Sequence, residues 1–294
     1  MGIKDFKLTR KNLRKLIVIP LALLAIALFF IGSSYVQEGQ FLKRGIDLEG
    51  GVQITVHHSQ KTDLDLVKSK ISEELGTTDL DIVTTTNPAT RQQETIIVSV
   101  GGEIAEEKIS TAIESALGIT LSPQTYSIRV LGPALASSFW NQAKWAFMFA
   151  FLFMAGVVAF YFRKPLPTVA ILVSTTYDLL IIFGFMALTG MHLSLATIAA
   201  VLMIIGYSVD TNILLTNKIL RERDGDLFER INRGLKTGLT MSASTISVLL
   251  ALFLVGGAYS IVLRQISTIL LVGLLADIPN TWLLNANILT WHRE

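Results

Sequence analysis

The sequence predicts an α-helical membrane protein with six transmembrane helices and an α+β, ferredoxin-like (βαββαβ) external domain between helices 1 and 2. Three observations carry that fold class. Hydrophobic residues make up 51% of the 294 residues and charged residues only 16%, a balance too apolar for a soluble domain. Apolar runs of about 20 residues, the length that crosses a bilayer, recur near 16–34, 142–162, 167–189, 194–217, 239–257 and 262–289. Between the first two runs the pattern changes, and short alternating segments give way to amphipathic ones and back again.

The first run follows "KDFKLTRKNLRK" and could pass for a secretory signal. From Leu16 to Ile31 it is longer than the apolar region of such a signal, and no convincing cleavage site follows, so it reads as a retained anchor. Residues 1–15 form a basic cytoplasmic N-terminus and 16–35 the first helix. Orientation follows from lysine and arginine, which collect in cytoplasmic loops. Lys4, Lys7, Arg10, Lys11, Arg14 and Lys15 precede the first run, Arg163 and Lys164 follow the second, and Lys218, Arg221, Arg223, Arg230, Arg233 and Lys236 follow the fourth. If the spans alternate, all three clusters lie on one side and both termini are cytoplasmic. The opposite connections, "TGMH" and "GGAYS", carry no lysine or arginine, although Arg264 near the outer end of the last helix runs against the pattern.

Topology places residues 36–136 outside the membrane. "GVQITVHH" alternates like a strand, "DLDLVKSKISEEL" spaces Leu64, Val67, Ile71 and Leu75 like an amphipathic helix, and "LDIVTTT" is strand-like again. "ETIIVSV", "AEEKISTAIESAL" and "YSIRVL" repeat the series, with "TNPATRQ" as the turn between the halves. Strand, helix, strand, twice over, is the split βαβ order. No glycine-rich phosphate loop or cluster of catalytic residues occurs in this stretch, so it suits binding or contact rather than catalysis. Residues 137–294 hold helices 2–6 with short loops.

Other functions are excluded by composition. There are no cysteines, so disulfides and thiolate chemistry are absent, and His57, His58, His192 and His292 are not at metal-ligand spacing. Neither a metal nor any other cofactor is expected. The basic residues border apolar runs instead of forming a patch with exposed aromatics, so nucleic acid is not implied and membrane lipids are the expected surroundings.

The residues that carry chemistry are acids inside the apolar runs. A charged side chain at the bilayer centre costs about 2.5–3.5 kcal/mol on insertion scales, so it faces protein or water. Asp210 lies in "IIGYSVDTNILL", Asp178 in "STTYDLLII" and Asp277 in "LLADIPNTW". Steps of three and four from Asp210 gather Ala196, Ala199, Met203, Gly206, Leu214 and Asn217. This mostly small or polar face is expected to look inward, with Gly206 allowing close helix approach. The fifth run has a hydroxyl stripe, Thr237, Thr240, Ser244 and Ser247, suited to holding water or a carboxylate on a proton route. Lys236 enters from the same cytoplasmic side as Asp210, which lies about 12 Å from the inner end of its helix, and could pair with it. Asp277 heads a stripe with Asn280 and Asn287, and Pro279 is expected to bend that helix. Each acid also admits a purely structural reading, as a carboxylate that fixes helix packing.

These strings resemble the SecD/SecF family of protein-export membrane proteins, in its archaeal SecF type, within the RND superfamily of transporters. The likeness runs through "GIDLEGG" (45–51), "VLGPALASSFWNQA" (130–143), "YDLLI" (177–181) and, most specifically, "IGYSVDTNILLTNKILRER" (205–223). It implies a subunit of a SecD/SecF complex beside a SecYE-type protein-conducting channel. Such a subunit uses the proton gradient to help draw a translocating polypeptide outward, with SecD as its six-span partner. By position Asp210 matches the family's aspartate of span four and Asp178 an acid of span three. Lys236 stands where bacterial members have arginine, and Val209 precedes Asp210 where they have asparagine. Three other readings compete with it: an RND-type exporter of small molecules or lipids, a passive assembly scaffold, and an intramembrane aspartyl protease. The protease would need Asp178 and Asp210 in contact.

Overall fold

The protein is described by a computed structural model covering residues 8–58, 62–77, 79–86, 93–102, 104–122 and 125–293. Six helical stretches among these residues are long and apolar enough to cross a membrane. They coincide with the six apolar runs, but most extend beyond them, because a helix continues through polar residues wherever capping and packing support it. Two bodies are stacked end to end, a helix bundle and a four-stranded sheet unit.

The basic N-terminal segment forms a short helix, α1 (Arg10–Leu16), with Leu8 and Leu13 buried. Asn232 holds it in place by mimicking a strand partner. Its Oδ1 accepts from the Leu8 amide at 2.7 Å and its Nδ2 donates to the Leu8 carbonyl at 2.9 Å. The first apolar run is α2 (Val18–Glu38), which ends at Gly39 in the left-handed conformation. It meets the bundle along α7 (Pro165–Thr189), where the Tyr177 hydroxyl donates to the Pro20 carbonyl at 3.0 Å. Gly184 makes that approach possible, since a Cβ there would lie 2.5 Å from the Ala27 Cα.

The second span, α6 (Pro133–Phe162), and α7 both begin with proline in the first turn, where its missing N–H leaves nothing unsatisfied. Capping boxes start α8 (Leu195–Leu220), through Ser194 and Thr197, and α9 (Leu227–Ala251), through Asp226 and Glu229. The fifth span continues as a π-helical turn, Leu252–Gly256, and a last short turn, α10 (Gly257–Tyr259). The sixth is α11 (Ile261–Pro279), a π-helical stretch Asn280–Asn285, and α12 (Ala286–Arg293). The bend expected at Pro279 is thus realised as a wider winding that begins at the next residue. Proline removes one backbone donor and crowds the preceding turn, and π winding accommodates both.

The lysine- and arginine-rich ends of these helices gather at one end of the bundle. Arg221 donates to the Tyr161 carbonyl at 2.5 Å and stacks on the Tyr161 ring. Glu222 bonds Lys218 at 2.5 Å and Arg233 at 2.7 Å, and those bonds hold its carboxyl below the usual range. Both cations thereby close the turn between α8 and α9.

The sheet unit sits at the opposite end. After α3 (Ile46–Glu49) come β1 (Gly51–His57), α4 (Leu64–Leu75), β2 (Leu80–Thr86), β3 (Gln93–Gly101), α5 (Glu106–Leu117) and β4 (Tyr126–Leu131). The strand order is β2-β3-β1-β4 with every neighbouring pair antiparallel. Strands β2 and β4 coincide with the "LDIVTTT" and "YSIRVL" segments, and most of the turn "TNPATRQ" lies outside the described residues. Alternation decides which face is apolar. Val52, Ile54, Val56, Ile96, Val98 and Val100 bury against Val67 and Ile71 of α4 and Ile109, Ala112 and Ile113 of α5. The other face, through Gln53, Asp81, Val83, Ser99 and Arg129, overlooks the bundle across a cleft of about 290 Å³.

A main-chain clasp joins the two bodies, with Gly45 N–H donating to the Leu193 carbonyl at 2.8 Å and Leu193 N–H to the Lys43 carbonyl at 2.7 Å. His192 Nδ1 lies 3.3 Å from Asp81 Oδ2, and Arg264 donates to the Thr84 carbonyl at 3.3 Å. The arginine that broke the charge pattern therefore has a local task. It reaches from α11 to the edge strand β2.

The Gly184 contact gives a direct test. Gly184→Ala forces α2 away from α7 and should destabilise the purified protein by about 1–3 kcal/mol, the usual cost of overpacking, read as a lower unfolding midpoint in detergent. Gly156→Ala, where an added Cβ would meet nothing within 4 Å, should keep or raise the midpoint, since alanine is the better helix former.

Candidate functional site

The polar side chains of the bundle fall into two groups separated by α8. Successive helical residues turn by about 100°, so Ser208 and Asp210 point to opposite sides. Ser208, Thr211, Asn212, Leu215 and Thr216 form the buried face, and Met203, Gly206 and Asp210 the exposed one.

The buried face meets α7, α11 and the following π stretch in a network made almost wholly of side chains. Ser208 Oγ donates to Asp178 Oδ2 at 2.6 Å and Asn280 Nδ2 to Asp178 Oδ1 at 2.8 Å. Thr211 Oγ1 donates to Asp277 Oδ2 at 2.7 Å and Thr281 Oγ1 to Asp277 Oδ1 at 2.9 Å. Asn212 accepts from Ser174 Oγ at 3.0 Å and from Asn285, and donates to the Ser208 carbonyl at 2.7 Å. Asp178 is 0% exposed and Asp277 2%, and Ser208 and Thr211, neighbours on one face of α8, each hold one of the two acids.

The face carrying Asp210 was expected to look inward, and the structure turns it outward. Asp210 and Gly206 are exposed on the surface of the bundle, and nothing lies within 4 Å of the point where a Gly206 Cβ would be. Both stripes of α8 are small and polar, so residue type alone does not separate them. The Ser208 stripe lies inside because each of its polar groups finds a partner there. Among the described residues Asp210 has no hydrogen-bond or ion-pair partner in its own chain, and no ion pair joins it to Lys236.

The α9 stripe is outward too, with Lys236, Thr237, Thr240, Ser244 and Ser247 all exposed. Thr240 donates to the Lys236 carbonyl at 2.8 Å and Ser244 to the Met241 carbonyl at 2.8 Å, so their hydroxyl protons stay on their own helix. Antiparallel packing sets the register between the helices. A Cβ on Gly234 would lie 3.0 Å from Lys218 Cγ, which puts Asp210, about 12 Å back along α8, level with Ser242. Thr240 and Ser244 flank that level, and Lys236 lies nearer the basic end. Trp282 from the π stretch packs on Gly238, where a Cβ would come within 2.4 Å of the indole ring, and fills the space behind α9.

Asn287, the last member of the expected Asp277 stripe, lies elsewhere and donates to the Leu13 carbonyl at 2.8 Å. Ser174, Ser208, Thr211, Asn212, Thr281 and Asn285 are members of the site that sequence reasoning passed over. The 3–4 spacing of Ser208, Thr211 and Asn212 was a usable signal. The contact that the protease reading requires is also missing, because Asp178 lies against the Ser208 side of α8 and Asp210 points the other way.

Comparison with known proteins agrees with this architecture. The family model described as protein export membrane protein SecD/SecF, C-terminal, matches residues 111–294. The protein-export membrane protein SecF of Methanothermobacter thermautotrophicus is 38% identical over 97% of this chain and 94% of its own length. The chain belongs to the SecD/SecF family. SecF of Methanocaldococcus jannaschii is 35% identical over 99% of this chain and 96% of its own, so the likeness to the archaeal SecF type holds. The crystal structure of a Thermus SecDF, described as a translocon-associated membrane protein, covers the whole chain at a TM-score of 0.77 and 22% identity. Its fold is shared, and this chain spans 40% of its length. As a SecD/SecF family member the protein is a multi-pass protein-export membrane subunit.

Asn212 is the junction of the buried network. Asn212→Leu keeps the volume but abandons Ser174 and Asn285 in a dry interior, where each unsatisfied partner costs about 1–3 kcal/mol. Its unfolding midpoint should fall well below that of Asn217→Leu, at the exposed contact with Tyr161. Equal midpoints would show that the network contributes no stability.

Proposed function

We propose that this chain is the SecF half of a SecD–SecF assembly that assists polypeptide movement through the Sec translocon, with the outward Asp210 face as its contact with SecD. One observation carries the reading. A carboxylate in the middle of a span stands on the outside of its own bundle with no side-chain partner among the described residues. Left against lipid it would cost about 2.5–3.5 kcal/mol, and a second bundle laid over Gly206 and Asp210 would remove that cost. The 40% coverage of the Thermus SecDF leaves room for such a second half.

In this reading Asp210 exchanges a proton at the interface between the halves. Lys236, Thr240 and Ser244 line its approach from the basic end, and Gly206 lets the facing helix come close. Asp178 and Asp277 form the charged core behind it. The basic end is cytoplasmic, with both termini there, which places the sheet unit of residues 36–136 outside the membrane. We read that unit as ferredoxin-like, on the strength of its strand order and of two helices covering one face. The emerging polypeptide, a SecYE-type channel and the surrounding lipids complete the set of partners. No catalytic group and no cofactor enters the scheme.

The test is export of a reporter protein in cells whose only copy carries Asp210→Asn, with membrane level and SecD association measured in parallel. Asparagine preserves shape and hydrogen bonding but cannot titrate. Export should fall to the level of cells lacking the gene while assembly persists. Normal export would leave Asp210 as an interface contact only, and the scaffold reading would replace coupling.

A further inference from the structure

The basic N-terminal helix is fastened to the bundle more firmly than a topology signal needs. Lysine and arginine set orientation from any segment beside a span, ordered or not. Here α1 is pinned from two different spans, by Asn232 at the Leu8 backbone and by Asn287 at the Leu13 carbonyl. Leu8 and Leu13 are buried beneath it. Arg10 and Arg14 are one helical turn apart, so they share a face of α1, and the two asparagines fix where that face stands.

The face borders a cavity of about 570 Å³ between α1, the start of α9 and α12. Leu13, Ile17, Phe228 and Ile288 make its wall apolar, and the charge along it, from Arg10 and Arg14, is positive. Among the described residues no aspartate or glutamate lines it. α1 carries two lysines and two arginines, and it is the arginines that line the cavity, while Lys11 and Lys15 do not. A guanidinium presents paired N–H donors that match two phosphate oxygens, which an ammonium does not.

The cavity also lies at a defined depth. The first span begins at the residue after Ile17, and Val18 and Ile19 are exposed as the start of its lipid-facing apolar surface. Trp291, exposed near the end of the sixth span, lines the same cavity, and an indole so placed marks the boundary between hydrocarbon and water. A phosphate held by the two arginines sits at headgroup level, with its glycerol and first methylenes against Leu13, Ile17 and Ile288. A soluble phosphate would leave that wall bare. A zwitterionic headgroup would bring a further cation to a site with no acid to receive it.

We infer that this cavity binds the headgroup of one anionic glycerophospholipid, with Arg10 and Arg14 on its phosphate. The site uses none of the residues assigned to coupling, and its test does not depend on export.

The probes are dioleoylphosphatidylglycerol and dioleoylphosphatidylcholine, offered in turn to the purified full-length chain in a neutral detergent, with native mass spectrometry counting the lipids retained. One phosphatidylglycerol should stay bound per chain, and phosphatidylcholine should bind about tenfold more weakly or worse. Arg10→Gln combined with Arg14→Gln should weaken phosphatidylglycerol by about tenfold or more, because each cation beside an anionic headgroup is worth on the order of fivefold in affinity. Lys11→Gln combined with Lys15→Gln removes the same charge outside the cavity, where screening should keep the loss below about threefold. Retention of neither lipid, or of both equally, overturns the inference, as do equal losses in the two double variants. Displacement of bound phosphatidylglycerol by millimolar sn-glycerol 3-phosphate also overturns it, by marking a site for soluble phosphates. If the arginine variant does not fold, the comparison of the two lipids on the wild-type chain decides.

Discussion

Asp178 and Asp277 cannot be buried singly in a membrane bundle, and much of the arrangement follows from burying them together. An ionisable group in a dry interior needs hydrogen bonds from every side. Two elements supply them, α8 through Ser208 and Thr211 and the sixth span through Asn280 and Thr281, while the Ser174 carbonyl of α7 accepts from Asn280 and steadies it. Those bonds set which face of each helix is inside. Apolar packing among Ile171, Ile182, Ile204, Ile205 and Leu270 adds most of the buried area but is non-directional. The hydrogen bonds therefore fix rotation, and the hydrophobic residues fix proximity.

The rotation of α8 has consequences on both sides of it. Placing Ser208 and Asn212 inside obliges Asp210, two residues from each, to stand outside. The same logic holds on α9, where Gly234, Gly238 and Ser242 form the packed face that receives Lys218 and Trp282, so Lys236, Thr240 and Ser244 are necessarily outward. One chain thus carries a satisfied internal acid pair and an unsatisfied external acid, in the same membrane and separated by the thickness of a helix.

The fold was largely legible in the sequence because its signals are local. Run length gave six spans, and alternation in "LDIVTTT" and "YSIRVL" gave strands whose limits the structure reproduces. What the sequence did not reveal is which of two polar stripes on α8 lies inside. Hydrophobicity separates a core face from a surface face only when the surface is wet, and in lipid a small polar stripe suits a helix contact within the chain as well as one with a partner. Arg264 shows the same limit. Counting charges marks it as an exception, whereas its reason is the Thr84 carbonyl, 180 residues away in the chain. Pro279 predicted a bend but could not predict π winding, which depends on Trp282 and Asn285 finding places between neighbouring helices.

The seating of the sheet unit is lopsided. Its two covalent joints to the bundle, ahead of β1 and after β4, are side by side, since Gly51 pairs with Leu131. Among the described residues the polar contacts that hold the far edge, β2, to the bundle are those of His192 and Arg264. The assembly is mechanically like a door, hung along β1 and β4 and latched along β2. A pull on the hinge side loads peptide bonds and is borne by the whole chain, while the same pull on the latch side loads the non-covalent contacts of His192 and Arg264. The unit thus has one soft direction of travel, tilting up from the β2 edge, and is stiff in the others.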